Sequence, residues 1–138
     1  MPPSRLIPSG LLVVLISAAA MTARAQTVPS KQAVGFIGTW LFEMTEPNEL
    51  KGTTETVRVW ERDGQVAASV QVGKFPANDV TGVLRDGDLL VLSTTLRENG
   101  QPIWVVISLK PAGETMLLAQ MMERSQTIKR GVGKKQPS

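Results

Sequence analysis

The chain contains no cysteine, no histidine and no tyrosine. Without the first two, it has no thiol nucleophile, no serine–histidine–aspartate triad and no ordinary zinc or copper site. Without tyrosine, a phenol base is excluded as well. Disulfides cannot contribute to the stability of the fold. The composition therefore argues against an enzyme, and we expect no catalytic residue, no bound metal and no cofactor.

Carboxylates are the acid–base groups that remain available to this chain. Most of them lie in predicted turns, where the hydrogen-bonding habits of acidic side chains account for them. Glu61 falls beside a turn on the predicted inner face of a strand. We expect it at the rim of the fold, in contact with water, because it borders the turn at Asp63 and Gly64.

The first 25 residues have the pattern of a Sec-type signal peptide. Arg5 precedes the short apolar run Leu11–Met21, and small residues follow at Ala23 and Ala25, as signal peptidase requires. We expect cleavage after Ala25 and a location in the bacterial periplasm or the medium. The apolar run is too short to span a bilayer, so no integral membrane segment is expected after cleavage. A retained anchor or a buried N-terminal helix is the alternative.

The charge balance does not favour a nucleic-acid partner. The net charge of +3 at pH 7 includes Arg5 and Arg24, which lie in the predicted signal peptide. Much of the remaining basic excess falls near the C-terminus, between Lys129 and Lys135. Nucleic-acid binding requires a basic stripe on the folded domain, and the sequence shows none.

The rest of the chain consists of short runs with alternating apolar and polar residues, separated by turn dipeptides. This pattern predicts an all-β fold, and we interpret it as an eight-stranded antiparallel up-and-down barrel, since closure removes the exposed sheet edges. A two-sheet sandwich is the alternative. We expect a disordered leader, a barrel domain and a basic disordered tail, at residues 26–35, 36–132 and 133–138. The predicted strands are roughly 36–44, 53–61, 65–72, 80–84, 89–96, 103–109, 115–123 and 126–132.

Two turn dipeptides, Asp63-Gly64 and Asn99-Gly100, predict tight hairpins. With two-residue loops, Val57 pairs with Val70 in the first hairpin and Leu92 pairs with Ile107 in the second. The first register turns Trp60 outward, whereas a three-residue loop with a bulge turns it inward. The sequence leaves these two positions of Trp60 open, because a slip by one residue moves a whole strand to the other face.

A third hairpin, between the predicted sixth and seventh strands, has a less distinctive turn. A four-residue loop from Pro111 to Glu114 would pair Leu109 with Met116 and Ile107 with Leu118.

The sequence Gly38-Thr39-Trp40 at the start and Lys129-Arg130 near the end, with alternating hairpins between them, resembles small lipocalin-like (calycin-type) barrels. It also resembles a group of uncharacterised bacterial secreted domains that begin with a Gly-Thr-Trp strand. The resemblance implies that Trp40 closes one end of the barrel with a cation from the last strand, for which Arg130 is the better candidate than Lys129. It also implies the binding of a small ligand.

Five residues of the predicted inner face are candidates for contact with such a ligand. Thr94 and Gln120 interrupt apolar rows, and polar groups in an apolar pocket commonly orient a ligand. Phe42, Met44 and Met122 supply adaptable apolar surface beside them. The alternative is a filled core, in which Gln120 bonds to Thr94 or to a trapped water.

The predicted outer face carries an apolar patch on the fifth to seventh strands, formed by Val91, Trp104, Val106, Leu117 and Met121. A patch of this size suggests an interface with a second copy or with a partner. The patch could also result from an error in register or from a sandwich. Our first hypothesis is therefore an exported, non-catalytic barrel that binds a small apolar molecule. The alternative is a protein-interaction or self-associating module with a filled core.

Overall fold

The computed structural model describes residues 26–138, and the predicted signal peptide lies outside the described residues. The fold is all-β and antiparallel, as the alternation predicts. One sheet contains all strands in the order β4-β3-β2-β1-β9-β8-β7-β6-β5. The strands are β1 Gly38–Glu46, β2 Thr54–Arg62, β3 Gln65–Val72, β4 Asn78–Asp79, β5 Gly82–Asp86, β6 Leu89–Glu98, β7 Gln101–Ala112, β8 Thr115–Met122 and β9 Ile128–Lys135.

The hairpins at the two strongest turn signals have the predicted registers. Val57 pairs with Val70 across β2 and β3, and Leu92 pairs with Ile107 across β6 and β7. Asn99 and Gly100 both have positive φ, at 52° and 79°, which is the geometry of the two-residue turns that match strand twist. The chemistry of these turns therefore fixes two registers locally.

The two-residue turn between β2 and β3 also decides the position of Trp60. The indole of Trp60 lies on the outer face of β2, because Arg62 pairs directly with Gln65 and no bulge interrupts the strand. The guanidinium groups of Arg58 and Arg62 lie 4.5 and 5.5 Å from the centroid of the Trp60 ring. Cation–π contacts therefore cover part of the outward-facing indole.

The predicted register between β7 and β8 is wrong by two residues. The loop is shorter than expected, since Ala112 pairs with Thr115, and Leu109 consequently pairs with Leu118 instead of Met116. Ile107 pairs with Gln120 instead of Leu118. A shift by two residues preserves the face of every side chain, so the inner and outer rows stay as predicted.

The described part of the chain, residues 26–138, forms nine strands where eight were predicted. The additional strand is the short β4, which pairs with β3 in a stretch expected to be a loop. Two residues then lead to β5, which pairs with β6. The amide of Val80 donates to the carbonyl of Ala68, and the amide of Thr81 donates to that of Ser93. The two edge strands of the sheet are therefore consecutive in the chain, and the sheet is curled.

The expected disorder at residues 26–35 and 133–138 is not what the structure shows. Residues Ser30–Phe36 form a 3₁₀ helix. The strand β9 extends to Lys135, and the amide of Gln136 donates to the carbonyl of Thr39. Both terminal segments thus have hydrogen-bonded backbone groups, as buried or paired segments require.

The inner face of β9 carries glycines because the side chains of β1 occupy the space beside it. A Cβ atom on Gly133 would lie 2.6 Å from the ring of Phe42, and one on Gly131 would lie 2.7 Å from the terminal methyl of Met44. Both β1 side chains are completely buried. Unlike the turn glycines, these two are therefore required by packing, which the sequence pattern does not reveal.

Within residues 26–138, no helix is both long enough and apolar enough to cross a membrane.

We predict that Gly133→Ala destabilises the fold by about 1–3 kcal/mol, the usual cost of overpacking a core. The free energy of unfolding in urea measures the effect. Gly35→Ala is the matched control, because a Cβ at Gly35 meets no atom within 4 Å. Equal stability of the two variants would contradict the packing role of Gly133, and Phe42→Leu should partly rescue the Gly133→Ala chain.

Candidate functional site

A cavity of about 530 Å³ opens at one end of the curled sheet. Four connections meet at this end, namely those that follow β1, β3, β6 and β8. The volume falls within the range of small-molecule sites. The lining residues are mostly apolar, and they are Val72, Phe75, Pro76, Asn78, Leu96, Arg97, Ile103, Met122 and Lys129.

A smaller cavity of about 250 Å³ adjoins the first one and shares the side chains of Met122 and Lys129 with it. The short 3₁₀ turn Asn48–Leu50, which follows β1, forms one wall. Gln120 lies in the opposite wall, on β8. The two cavities are thus neighbouring parts of one open end.

The opposite end of the sheet is closed by the 3₁₀ helix that precedes β1. Phe36 and Trp40 are buried there, and the indole nitrogen of Trp40 donates to the carbonyl oxygen of Phe36 at 2.9 Å. The guanidinium of Arg85 lies 5.2 Å from the centroid of the Phe36 ring and also donates to the carbonyl of Gln32. A cation does close this end, but it comes from β5 and contacts a phenylalanine.

The predicted pairing of Trp40 with Arg130 is therefore wrong. Trp40 pairs in register with Lys135, because β9 is longer than expected. Arg130 alternates with the inward Gly131 and so lies on the outer face. Its Nε is 3.9 Å from Oε1 of Glu46, at the opposite end of β1 from Trp40.

A polar cluster of Glu55, Lys129 and Gln120 lies inside the sheet at the cavity end. Oε2 of Glu55 is 3.5 Å from Nζ of Lys129, and Glu55 is only 2% exposed. Lys129 and Gln120 are direct cross-strand partners on β9 and β8. Within the described chain, Oε1 of Glu55 and both amide atoms of Gln120 are buried without a hydrogen-bond partner.

Burial raises the pKa of Glu55, and the positive charge and hydrogen bond of Lys129 partly oppose this effect. Desolvation disfavours the charged carboxylate, whereas a nearby cation favours it. The carboxyl group is thus held at a site where burial makes its ionisation less favourable than in water.

The sequence interpretation identified Gln120, missed Glu55, and considered Lys129 only as an alternative cation for closing the barrel. The alternation of inward and outward residues along β2 could have identified Glu55, since it lies two residues before Val57 and four before Val59 on the same inward face. Instead, the inner-face carboxylate considered was Glu61, which is exposed and accepts a hydrogen bond from the Ser30 hydroxyl. The encounter of Glu55 with Lys129 depends on β1 lying between their strands, which no local pattern shows.

The other predicted ligand contacts are divided between the cavity and the core. Met122 lines both cavities. Phe42 and Met44 are buried against the glycines of β9, so they belong to the filled part of the interior. The hydroxyl of Thr94 donates to the carbonyl of Asp79 at 2.8 Å and so connects β6 to β4. The predicted hydrogen bond between Thr94 and the amide of Gln120 is therefore not formed.

The predicted interface patch is mostly buried. Trp104 and Val106 are 6% and 1% exposed and form a cluster with Val91 on the outer face. Among the predicted interface residues, Leu117 is 40% exposed and Met121 is half-buried. The alternation gave the correct face for these side chains, but a face alone does not specify what covers it.

Comparison with known proteins supports the fold assignment. No protein-family model matches the chain, and no curated protein matches it. The solved structure of the wild-type fluorescent protein UnaG has a TM-score of 0.51 and 15% identity, over 75% of this chain and 99% of UnaG. A secretory abundant heat soluble (SAHS) protein from Ramazzottius varieornatus has a TM-score of 0.44 and 13% identity, over 73% and 95% of the two chains. The likeness to UnaG therefore supports a curled, antiparallel all-β fold for this chain.

We predict that stability decreases as the pH rises above the range in which unfolded glutamate titrates. A folded-state pKa raised above the unfolded value gives stability that is fully present below the unfolded pKa and is lost as the pH rises through the folded pKa. Glu55→Gln should flatten this part of the profile, as measured by urea unfolding at a series of pH values. Glu43→Gln, at an exposed position of β1, is the control, and equal slopes in the two variants would contradict the assignment to Glu55.

Proposed function

We propose that the protein is an exported, non-catalytic binding protein for a small and largely apolar molecule. The cavity of about 530 Å³ at the loop end carries this proposal. Apolar side chains line most of it, and the buried amide of Gln120 lines the smaller cavity beside it, a combination that is typical of ligand sites. The likeness of the fold to UnaG is consistent with a binding role but names no ligand.

The rim of the cavity has a feature that ligand binding would explain. The ring of Phe75 is 71% exposed and lines the cavity from the connection between β3 and β4. Leu96 and Ile103, which are cross-strand partners on β6 and β7, face it from the other hairpin. An apolar molecule between these side chains would remove all three from water.

Two observations favour binding over catalysis. The chain lacks the histidine, cysteine and tyrosine side chains that most often serve as acids, bases or nucleophiles. The buried carboxylate of Glu55 already has Lys129 as its counter-charge.

Export to the periplasm or the medium is proposed from the apolar run Leu11–Met21 and the small residues before Gln26.

Self-association through the outer face is the second candidate. The burial of Trp104 and Val106 removes the anchors first proposed for it. Leu117 and Val132 remain, since they are direct cross-strand partners and are 40% and 38% exposed. Native mass spectrometry of the gently purified protein distinguishes the two candidates. Extra mass on a monomer would support ligand binding, and a dimer without extra mass would support self-association.

We predict that Ile103→Trp weakens the binding of an apolar fluorescent probe such as N-phenyl-1-naphthylamine by roughly tenfold, a change of about 1.4 kcal/mol. The larger side chain would fill the mouth of the cavity. Fluorescence titration measures the affinity. Leu117→Trp is the matched control, because it adds the same indole on the outer face. Equal affinities in both variants would show that the probe does not enter the cavity, and urea unfolding checks that both variants are folded.

A further inference from the structure

We infer that the polar cluster selects an apolar ligand with a neutral head group that offers two hydrogen-bond donors and one acceptor, such as a primary amide. This inference rests on the proposed function and specifies the ligand class for the same cavity. The residues that carry it are Gln120, Glu55 and Lys129.

The amide of Gln120 provides the first part of the argument. The side chain is 1% exposed, and neither its oxygen nor its nitrogen has a hydrogen-bond partner within residues 26–138. Its neighbours across the sheet are Ile107, which offers no polar side-chain atom, and Lys129, whose ammonium lies near Glu55. A buried amide without partners is costly, so a ligand that supplies both partners recovers free energy.

The carboxylate of Glu55 provides the second part. One oxygen lies near the ammonium of Lys129, and the other has no partner in the described chain. The ion pair makes the cluster electrically neutral as a whole. A ligand carboxylate would meet the charge of Glu55, and a ligand ammonium would meet that of Lys129. A neutral head group avoids both repulsions and the cost of burying a third charge.

The unsatisfied atoms define the complementary hydrogen-bonding pattern. They comprise two acceptors, Oε1 of Glu55 and Oε1 of Gln120, and one donor, Nε2 of Gln120. A primary amide has two N–H donors and one carbonyl acceptor, whereas a carboxylate has no donor, an ammonium has no acceptor and an alcohol has a single donor. The amide is therefore the simplest group that matches all three atoms.

The apolar part of the cavity accommodates the rest of such a ligand. Met122 and Lys129 line both cavities, so a head group beside Gln120 leaves its chain directed past Met122. Leu96, Ile103 and Val72 line the larger cavity beyond. Burial of the chain against these residues would provide affinity, and the head group would provide specificity.

The test uses four molecules with the same alkyl chain and different head groups: decanamide, decanoate, decylamine and decanol. Each displaces N-phenyl-1-naphthylamine from the full mature protein at one fixed pH. We expect decanamide to bind more tightly than decanoate and decylamine by roughly tenfold, as expected for one or two additional hydrogen bonds. Gln120→Leu should abolish this preference while decanol binding is retained.

Two further variants make the test decisive. Gln71→Leu, on the outer face of β3, is the matched control and should keep the preference for decanamide. Glu55→Gln is nearly isosteric and leaves the positive charge of Lys129 uncompensated, so it should shift the preference towards decanoate. This variant keeps the inference testable if Gln120→Leu does not fold.

The outcomes separate the inference from the proposed function. If none of the four molecules displaces the probe and the probe itself does not bind, the proposed function fails. If all four bind equally, or decanoate binds best to the wild-type chain, the cluster is a buried polar group satisfied by water and the inference is overturned, while ligand binding stands. A preference for decanamide that persists in Gln120→Leu would also overturn it.

Discussion

The two edges of the sheet meet through only two residues of chain, and this connection determines the rest of the architecture. Val80 and Thr81 lead from β4, which pairs with β3, directly to β5, which pairs with β6. The sheet must therefore curl until β3 and β6 approach each other across this connection. Once it curls, all inward side chains share one limited interior. That limit explains why β9 carries glycines where β1 presents Phe42 and Met44.

The same curl gives the molecule two unlike ends. At one end the 3₁₀ helix inserts Phe36 and Trp40 and closes the interior. At the other end, the strand connections of residues 26–138 leave the two cavities between them. The polar cluster lies at this second end. Replacing a buried ion pair by apolar residues is often neutral or stabilising, so stability alone gives no reason for Glu55 and Lys129 to be there. The proposed recognition of a ligand head group would give such a reason.

The features that the sequence predicted correctly are those encoded within a few residues. Asp63-Gly64 and Asn99-Gly100 set two hairpin registers through the geometry of their own turns. The turn after β7 is different, because Pro111 suggested a loop where the strand in fact continues. Even there, the alternation of faces survived, since the error was two residues. Period two thus gave the correct inner and outer rows of β6, β7 and β8, whereas the face of Trp60 was left open until the register of β2 and β3 was known.

The features that the sequence did not reveal depend on strands that are distant in the chain. Glu55 and Lys129 are 3.5 Å apart although β1 lies between their strands. The cation that helps to close one end of the sheet is Arg85 and not Arg130, because the guanidinium of Arg85 lies over the ring of Phe36 in the 3₁₀ helix. The position of this helix could not be read from the sequence. Gly131 and Gly133 look like turn residues until the side chains opposite them are known. Consequently, two of the five predicted ligand contacts, Phe42 and Met44, belong to the filled core.

The segment before the 3₁₀ helix has a consequence for the behaviour of the protein at high concentration. The carbonyl of Gln26 accepts from the amide of Val83 on β5, and that of Val28 accepts from the amide of Val66 on β3. These amides belong to β5 and β3, which lie on the two sides of the seam, the junction at which the two edges of the curled sheet meet. An uncovered strand edge is a template on which a strand from another molecule can pair, which leads to aggregation. By covering both sides of the seam, this short segment protects the protein against intermolecular β-pairing.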